Sequence, residues 1–201
     1  MTLYAVKPAF QRLLRPLAHR LADRGVTANA VTLAAMGLSV LLGVGLALAG
    51  SGGRRGVFAL LPAFLLVRMA LNAIDGMIAR ERHQTSALGA YLNELGDVVS
   101  DAALYLPFAL LPGGWPAAVL VALAGAGELA GVLGQVAGGN RRYDGPLGKS
   151  DRALAFGLLA LPLAFGVPGG SWLTGVLLLG CVLGVLTILN RVRRGLAGGG
   201  A

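Results

Sequence analysis

The chain has 201 residues, 56% hydrophobic and only 13% charged, and so lacks the charged surface, about a quarter of residues, that a soluble domain of this length carries. Its net charge of +8 comes from arginines that flank apolar runs, which fits attraction to anionic lipid headgroups and excludes a nucleic-acid stripe. The single cysteine, Cys181, excludes an internal disulfide and a cysteine-based metal cluster, and His19 and His83 lie too far apart in sequence to suggest a histidine dyad.

The first predicted element covers residues 1–24. Leu3, Val6, Phe10, Leu13, Leu14, Leu17 and Leu21 recur at helical spacing, with Lys7, Arg12, Arg15, Arg20 and Arg24 among them. That pattern predicts an amphipathic helix lying in the membrane interface. It has neither a continuous apolar stretch nor a small-residue cleavage site, so it does not read as a cleavable signal. Pro8 and Pro16 predict a break or bend within it.

Residues 25–201 read as one membrane domain. A spanning helix needs about 20 apolar residues. Six are predicted, near residues 28–50, 56–79, 86–110, 115–137, 152–165 and 172–189. The expected fold is thus an all-α integral membrane protein of six transmembrane helices behind an interfacial helix. Thirty-two glycines predict closely packed helices, with Gly127 and Gly131 as one small-residue pair. No internal repeat suggests a transporter built from two halves.

Orientation follows from the loops. Arg80 and Arg82, then Arg141, Arg142 and Lys149, then Arg191, Arg193 and Arg194 share a side with the basic N-terminal segment, while Arg54 and Arg55 occupy the opposite loops. Both termini are therefore expected in the cytoplasm, and a bacterial inner membrane is the expected location.

The chemistry concentrates in the second and third spans. Asn72, Asp75, Gly76 and Ala79 share one helical face, as do Gly89, Asn93, Asp97 and Asp101. Each acid at the centre of a span costs about 2.5–3.5 kcal/mol to insert, so intramembrane carboxylates are functional by default. The bland alternative, pairing with Arg68 or with helix ends, applies most readily to Glu94, Asp101 and Glu128.

Asn72, Asp75, Gly76, Ala79, Arg80, Gly89, Asn93 and Asp97 resemble, interval for interval, the D-x2-D-G-x2-A-R-x8-G-x3-D-x3-D pattern of the CDP-alcohol phosphotransferase (CDP-alcohol phosphatidyltransferase) family. Residues 26–32 resemble the family's opening of helix one. The resemblance implies transfer of a substituted phosphoryl group from a CDP-linked donor, usually CDP-diacylglycerol, to a small alcohol with release of CMP. It implies one or two divalent ions, Mg²⁺ or Mn²⁺, held at positions 72, 75, 93 and 97. Asp97 is implied as both metal ligand and general base. Asn29, Gly76, Ala79, Arg80 and Gly89 are implied around the CDP moiety, and a homodimer among membrane lipids is the implied assembly.

The chain departs from that pattern at Asn72 and Asn93, where the family has acids. An amide oxygen still ligates a metal but carries no charge. One metal, recruitment of Asp101 or Glu128, and loss of the reaction with retention of the fold all stay open. In the loop at 139–152, Lys149 and Arg152, with Asp101, are candidates to bind the acceptor; Arg141 and Arg142 read as positive-inside anchors, and Ser150 or Asp151 as a helix cap. Three functions therefore stand: a metal-dependent phospholipid-synthesis transferase, a CDP-lipid-binding pseudoenzyme, and a small transporter.

Overall fold

The computed structural model describes residues 3–137 and 139–198, with side chains from Ala9 onward, so the side chains of Leu3, Val6 and Lys7 lie outside the described residues. Every regular element described is helical: α1 (Leu3–Asp23), α2 (Ala28–Ser51), α3 (Leu60–Glu81), α4 (Ala87–Tyr105), α5 (Pro116–Val136), α6 (Lys149–Ala164) and α7 (Ser171–Gly198). Four stretches are long and apolar enough to cross a membrane: α2, α3 with its preceding turn (Arg55–Glu81), α5 and α7. The chain is an all-α integral membrane protein. The two other predicted spans are α4, which carries Glu94, Asp97 and Asp101 in 19 residues, and α6, which is 16 residues long.

Local chemistry sets the helix ends. Thr27 accepts from the Ala30 N–H at 3.2 Å and Ser86 from the Gly89 N–H at 3.0 Å, capping α2 and α4. α6 begins at Lys149, three residues before the predicted start, because the Asp151 carboxylate accepts from the Gly148 N–H at 2.9 Å. The predicted third span divides: α4 ends at Tyr105 and a 3₁₀ turn, Leu106–Leu110, follows, where Pro107 withholds a backbone donor. α1 is one unbroken helix through Pro8 and Pro16, contrary to the expected break. Pro16 lies on the exposed face, where the carbonyl it leaves free meets solvent.

Helix α7 runs nine residues past its predicted end at 189, and the reason is Arg191. Its side chain is 2% exposed and turns inward instead of marking the helix end.

Two apolar clusters bracket the polar residues. The larger joins Leu46, Phe58, Leu61, Leu65, Leu104, Tyr105, Phe108, Phe156 and Leu173. Tyr105 stacks on Phe156 at 4.0 Å, and Phe108 meets Phe58 and Phe156 edge-on. The smaller cluster packs Ala18 of α1 against Ala28 and Val31 of α2 and Ile74, Met77 and Ile78 of α3. α1 is pinned further by Arg15 and His19 on Glu81 and by Arg82 on Asp23. α2 and α4 come into backbone contact where Gly43 lies against the Ala103 carbonyl.

Candidate functional site

The polar layer begins where the larger apolar cluster stops. On α3, Arg68 follows Leu65 by about one turn, and on α4, Asp101 precedes Tyr105 by about one turn. Arg68 is 3% exposed. It donates to Asp101 Oδ1 at 2.6 Å, to the Asp97 carbonyl at 3.2 Å and to Asp97 Oδ1 at 3.5 Å.

Asp97 is the meeting point of three helices. Its Oδ1 also accepts from Asn72 Nδ2 of α3 at 3.3 Å and from Lys149 Nζ of α6 at 2.5 Å. Asp75 is buried on the same face of α3 as Asn72, and its Oδ2 accepts from Thr32 Oγ1 of α2 at 2.8 Å. Asn93 is half-buried on α4, one turn before Asp97. Thus Asn72 and Lys149 meet on Asp97, with Asp75 on the same face of α3 as Asn72.

The positions implied for a CDP moiety lie on α2, α3 and α4. The Arg80 guanidinium folds back over Gly76, where an added Cβ would lie 3.3 Å from Nη1. A Cβ on Gly89 would lie 3.0 Å from Asn29 Oδ1, so α2 and α4 approach through that glycine. Ala79 is half-buried beside the smaller cluster. Gln84 ties the segment after α3 to the start of α2 by accepting from the Ala28 N–H at 2.9 Å, a role with no signal in the sequence pattern.

Of the three acceptor candidates, Lys149 is part-exposed, at 34%, whereas Arg152 and Asp101 are spent on one another. Arg152 donates to Asp101 Oδ2 from Nε and Nη2 at 3.1 and 2.9 Å, to Glu128 Oε1 at 2.9 Å and to the Leu147 carbonyl at 3.3 Å. Asp101 therefore has both oxygens bound by arginine and is not a reserve metal ligand. Nor is Glu128, which also meets Arg141 and Arg191 at 3.2 Å each.

Arg141 is no surface anchor. It pairs with Glu94 and Glu128 and lies over the Tyr143 ring at 4.8 Å. Arg142 bonds Asp144 at 2.9 Å and Arg194 bonds it at 2.6 Å. Desolvation alone would raise the Asp144 carboxyl, but the hydrogen bonds from Arg194 and Arg142 outweigh it and hold the group below the ordinary range.

Gly127 and Gly131 serve this network. The Gly127 carbonyl accepts from Arg191 Nη1 at 2.6 Å, and a Cβ on Gly131 would meet the Arg142 carbonyl at 2.7 Å. The pair makes room for an inward arginine and a returning loop.

The layer thus sets Arg68, Arg141, Lys149, Arg152 and Arg191 against Asp75, Glu94, Asp97, Asp101 and Glu128, and it is formally neutral. Among the described residues, no three His, Cys, Asp or Glu side chains cluster as a ready metal cage. Asp75 and Asp97, with the amide oxygens of Asn72 and Asn93, are the hard-oxygen donors that a divalent cation would meet here.

Three comparisons bear on this arrangement. A family model described as CDP-alcohol phosphatidyltransferase matches residues 25–188. The chain is 48% identical over 195 residues to the inner membrane protein YnbA of Escherichia coli (strain K12), covering 96% of each. Its fold matches the phosphatidylinositol phosphate synthase PgsA1 of Mycobacterium tuberculosis. The crystal structure of that enzyme with manganese and citrate gives a TM-score of 0.75 at 20% identity, over 93% of this chain and 90% of that one. The structure with CDP-DAG bound gives 0.72 at 22% identity, over 94% and 96%.

Proposed function

The chain belongs to the CDP-alcohol phosphatidyltransferase family, and we propose that it moves a phosphatidyl group from CDP-diacylglycerol to a small alcohol and releases CMP. The observation that carries this reading is the bridge from Asn72 on α3 to Asp97 on α4, 3.3 Å long, beside Asp75. It turns the two motif halves toward each other.

In this reading Asp97 accepts the proton of the acceptor hydroxyl. The freed oxygen forms a bond to the phosphorus of the phosphatidyl group, and the bond from that phosphorus to CMP breaks. Arg68, Asn72 and Lys149 hold the Asp97 Oδ1, which leaves Oδ2 for the proton. Asp75 and Asp97, with Asn72 and Asn93, are the residues that would hold a divalent cation such as Mg²⁺ or Mn²⁺. Such an ion neutralises the diphosphate and stabilises the leaving group. Gly76, Arg80, Gly89 and Asn29 lie around the CDP moiety. Lys149, the part-exposed cation, meets a phosphate on the acceptor or the donor.

The membrane setting completes the reading. Residues 1–24 lie in the interface, residues 25–201 form a six-helix domain with α4 and α6 as its two further spans, and both termini face the cytoplasm. The apolar outer faces of the helices meet lipid, in a bacterial inner membrane, as a homodimer. A pseudoenzyme that holds the nucleotide-lipid without turnover is the second reading, favoured by Asn72, Asn93 and the Lys149 contact to Asp97.

Incubation with CDP-diacylglycerol, Mg²⁺ or Mn²⁺ and a panel of alcohols, followed by lipid mass spectrometry, tests the proposal. A new phospholipid with the mass of the phosphatidyl group plus one alcohol supports it and names the acceptor. Binding of CDP-diacylglycerol with no such product transfers the weight to the pseudoenzyme.

A further inference from the structure

We propose that the Lys149 ammonium takes the electrostatic place of a second divalent cation, so that this site binds a single divalent cation per chain. The inference rests on the transferase reading of the same site.

Lys149 Nζ lies 2.5 Å from Asp97 Oδ1, an oxygen already shared with Asn72 and Arg68. A carboxylate oxygen held by an ammonium and a guanidinium has little capacity left to ligate a metal. Asp97 is then left with Oδ2, which the acceptor proton also needs, and is poorly placed to bridge two cations. The residues that would have carried the extra negative charge are the amides Asn72 and Asn93. The loss of two negative charges and the presence of a positive one at the same carboxylate point the same way.

Nearby acids do not restore the balance. Asp101 is bound on both oxygens by Arg68 and Arg152. Glu128 is bound by Arg141, Arg152 and Arg191, and Glu94 by Arg141. A second dication would enter a formally neutral layer and repel Lys149 at close range. One dication is tolerable, because the donor's diphosphate brings its own negative charge.

The test is a Mn²⁺ titration followed by electron paramagnetic resonance, on the purified full chain in detergent with saturating CDP. The wild type is expected to bind one Mn²⁺ per chain, without the line broadening of a close metal pair. Lys149→Met is expected to keep that stoichiometry and bind Mn²⁺ about tenfold tighter or more. Lys149→Met combined with Asn72→Asp and Asn93→Asp is expected to bind two, with broadening. Two Mn²⁺ or none in the wild type, unchanged affinity in Lys149→Met, or one Mn²⁺ in the triple variant would each overturn the inference. Thermal unfolding of every variant checks the fold, and if a variant does not fold the wild-type stoichiometry decides. Two Mn²⁺ in a protein that also makes a phospholipid would sink this inference and leave the transferase standing. One Mn²⁺ without turnover would do the reverse.

Discussion

The Lys149 ammonium and the Asp97 carboxylate, 52 residues apart in sequence, meet at 2.5 Å and join α6 to α4 within the polar layer. The contact fixes the geometry of Asp97, the residue on which the proposed chemistry turns.

Asp97→Asn keeps the shape and the acceptor oxygen for Asn72 and Lys149 but removes the proton acceptor. Turnover is expected to fall by about 10²–10⁴, the range that a positioned general base supplies. Steady-state CMP release, with the unfolding midpoint as a check on folding, measures it. A rate near wild type would exclude Asp97 as base.

Arg152→Met removes a side chain that is 3% exposed and takes one arginine partner from each of Asp101 and Glu128. Breaking a buried ion pair by removing one partner costs about 3–5 kcal/mol. A clear drop in the thermal midpoint in detergent is expected even without substrate, which separates this framework role from acceptor binding.

Gly43→Ala drives a Cβ into the Ala103 carbonyl, and α2 and α4 must part. The expected cost is about 1–3 kcal/mol. Gly37→Ala, where an added Cβ meets nothing within 4 Å, serves as the control and is expected to be neutral or slightly stabilising. Equal midpoints for the two variants would contradict the close helix crossing.

Asp144 gives a pH dependence of known sign. Its folded carboxyl lies below the ordinary value of 3.8 because the hydrogen bonds from Arg194 and Arg142 outweigh desolvation. Its contribution to stability is therefore complete above 3.8 and is lost as pH falls through the lower folded value. The gap in unfolding midpoint between wild type and Asp144→Asn is expected to close as the medium is acidified through that window. A gap that stays constant would show that the ion pairs do not form in solution.

Much of this was legible in the sequence because the motif spacing is helical. Residues 72, 75, 76 and 79, and 89, 93 and 97, fall on single faces for any helix, so two polar faces were legible; that they meet is the work of the long side-chain bridges Asn72–Asp97 and Arg68–Asp101. Helix cores were legible from apolar length, but ends were not. Asp151 and Pro107 moved boundaries through one hydrogen bond gained or withheld. Arg191 was misread as a terminus because a flanking arginine and a buried one look alike until Glu128, on another helix, comes into view. Arg141 was misread as an anchor for the same reason, its partners Glu94 and Glu128 lying on α4 and α5. Long-range ion pairing has no period in the sequence; the surplus of acids within apolar spans was the one signal that partners had to exist.

The central claim is that Asp75 and Asp97, with two asparagines in place of acids, still sustain a metal-dependent transfer. The most direct measurement is CMP release from CDP-diacylglycerol by the purified protein, run with and without an acceptor alcohol and with and without EDTA. Release is expected to require the acceptor and to disappear with the chelator. Release that ignores both, or no release with any alcohol at saturating Mg²⁺ or Mn²⁺, would contradict the claim.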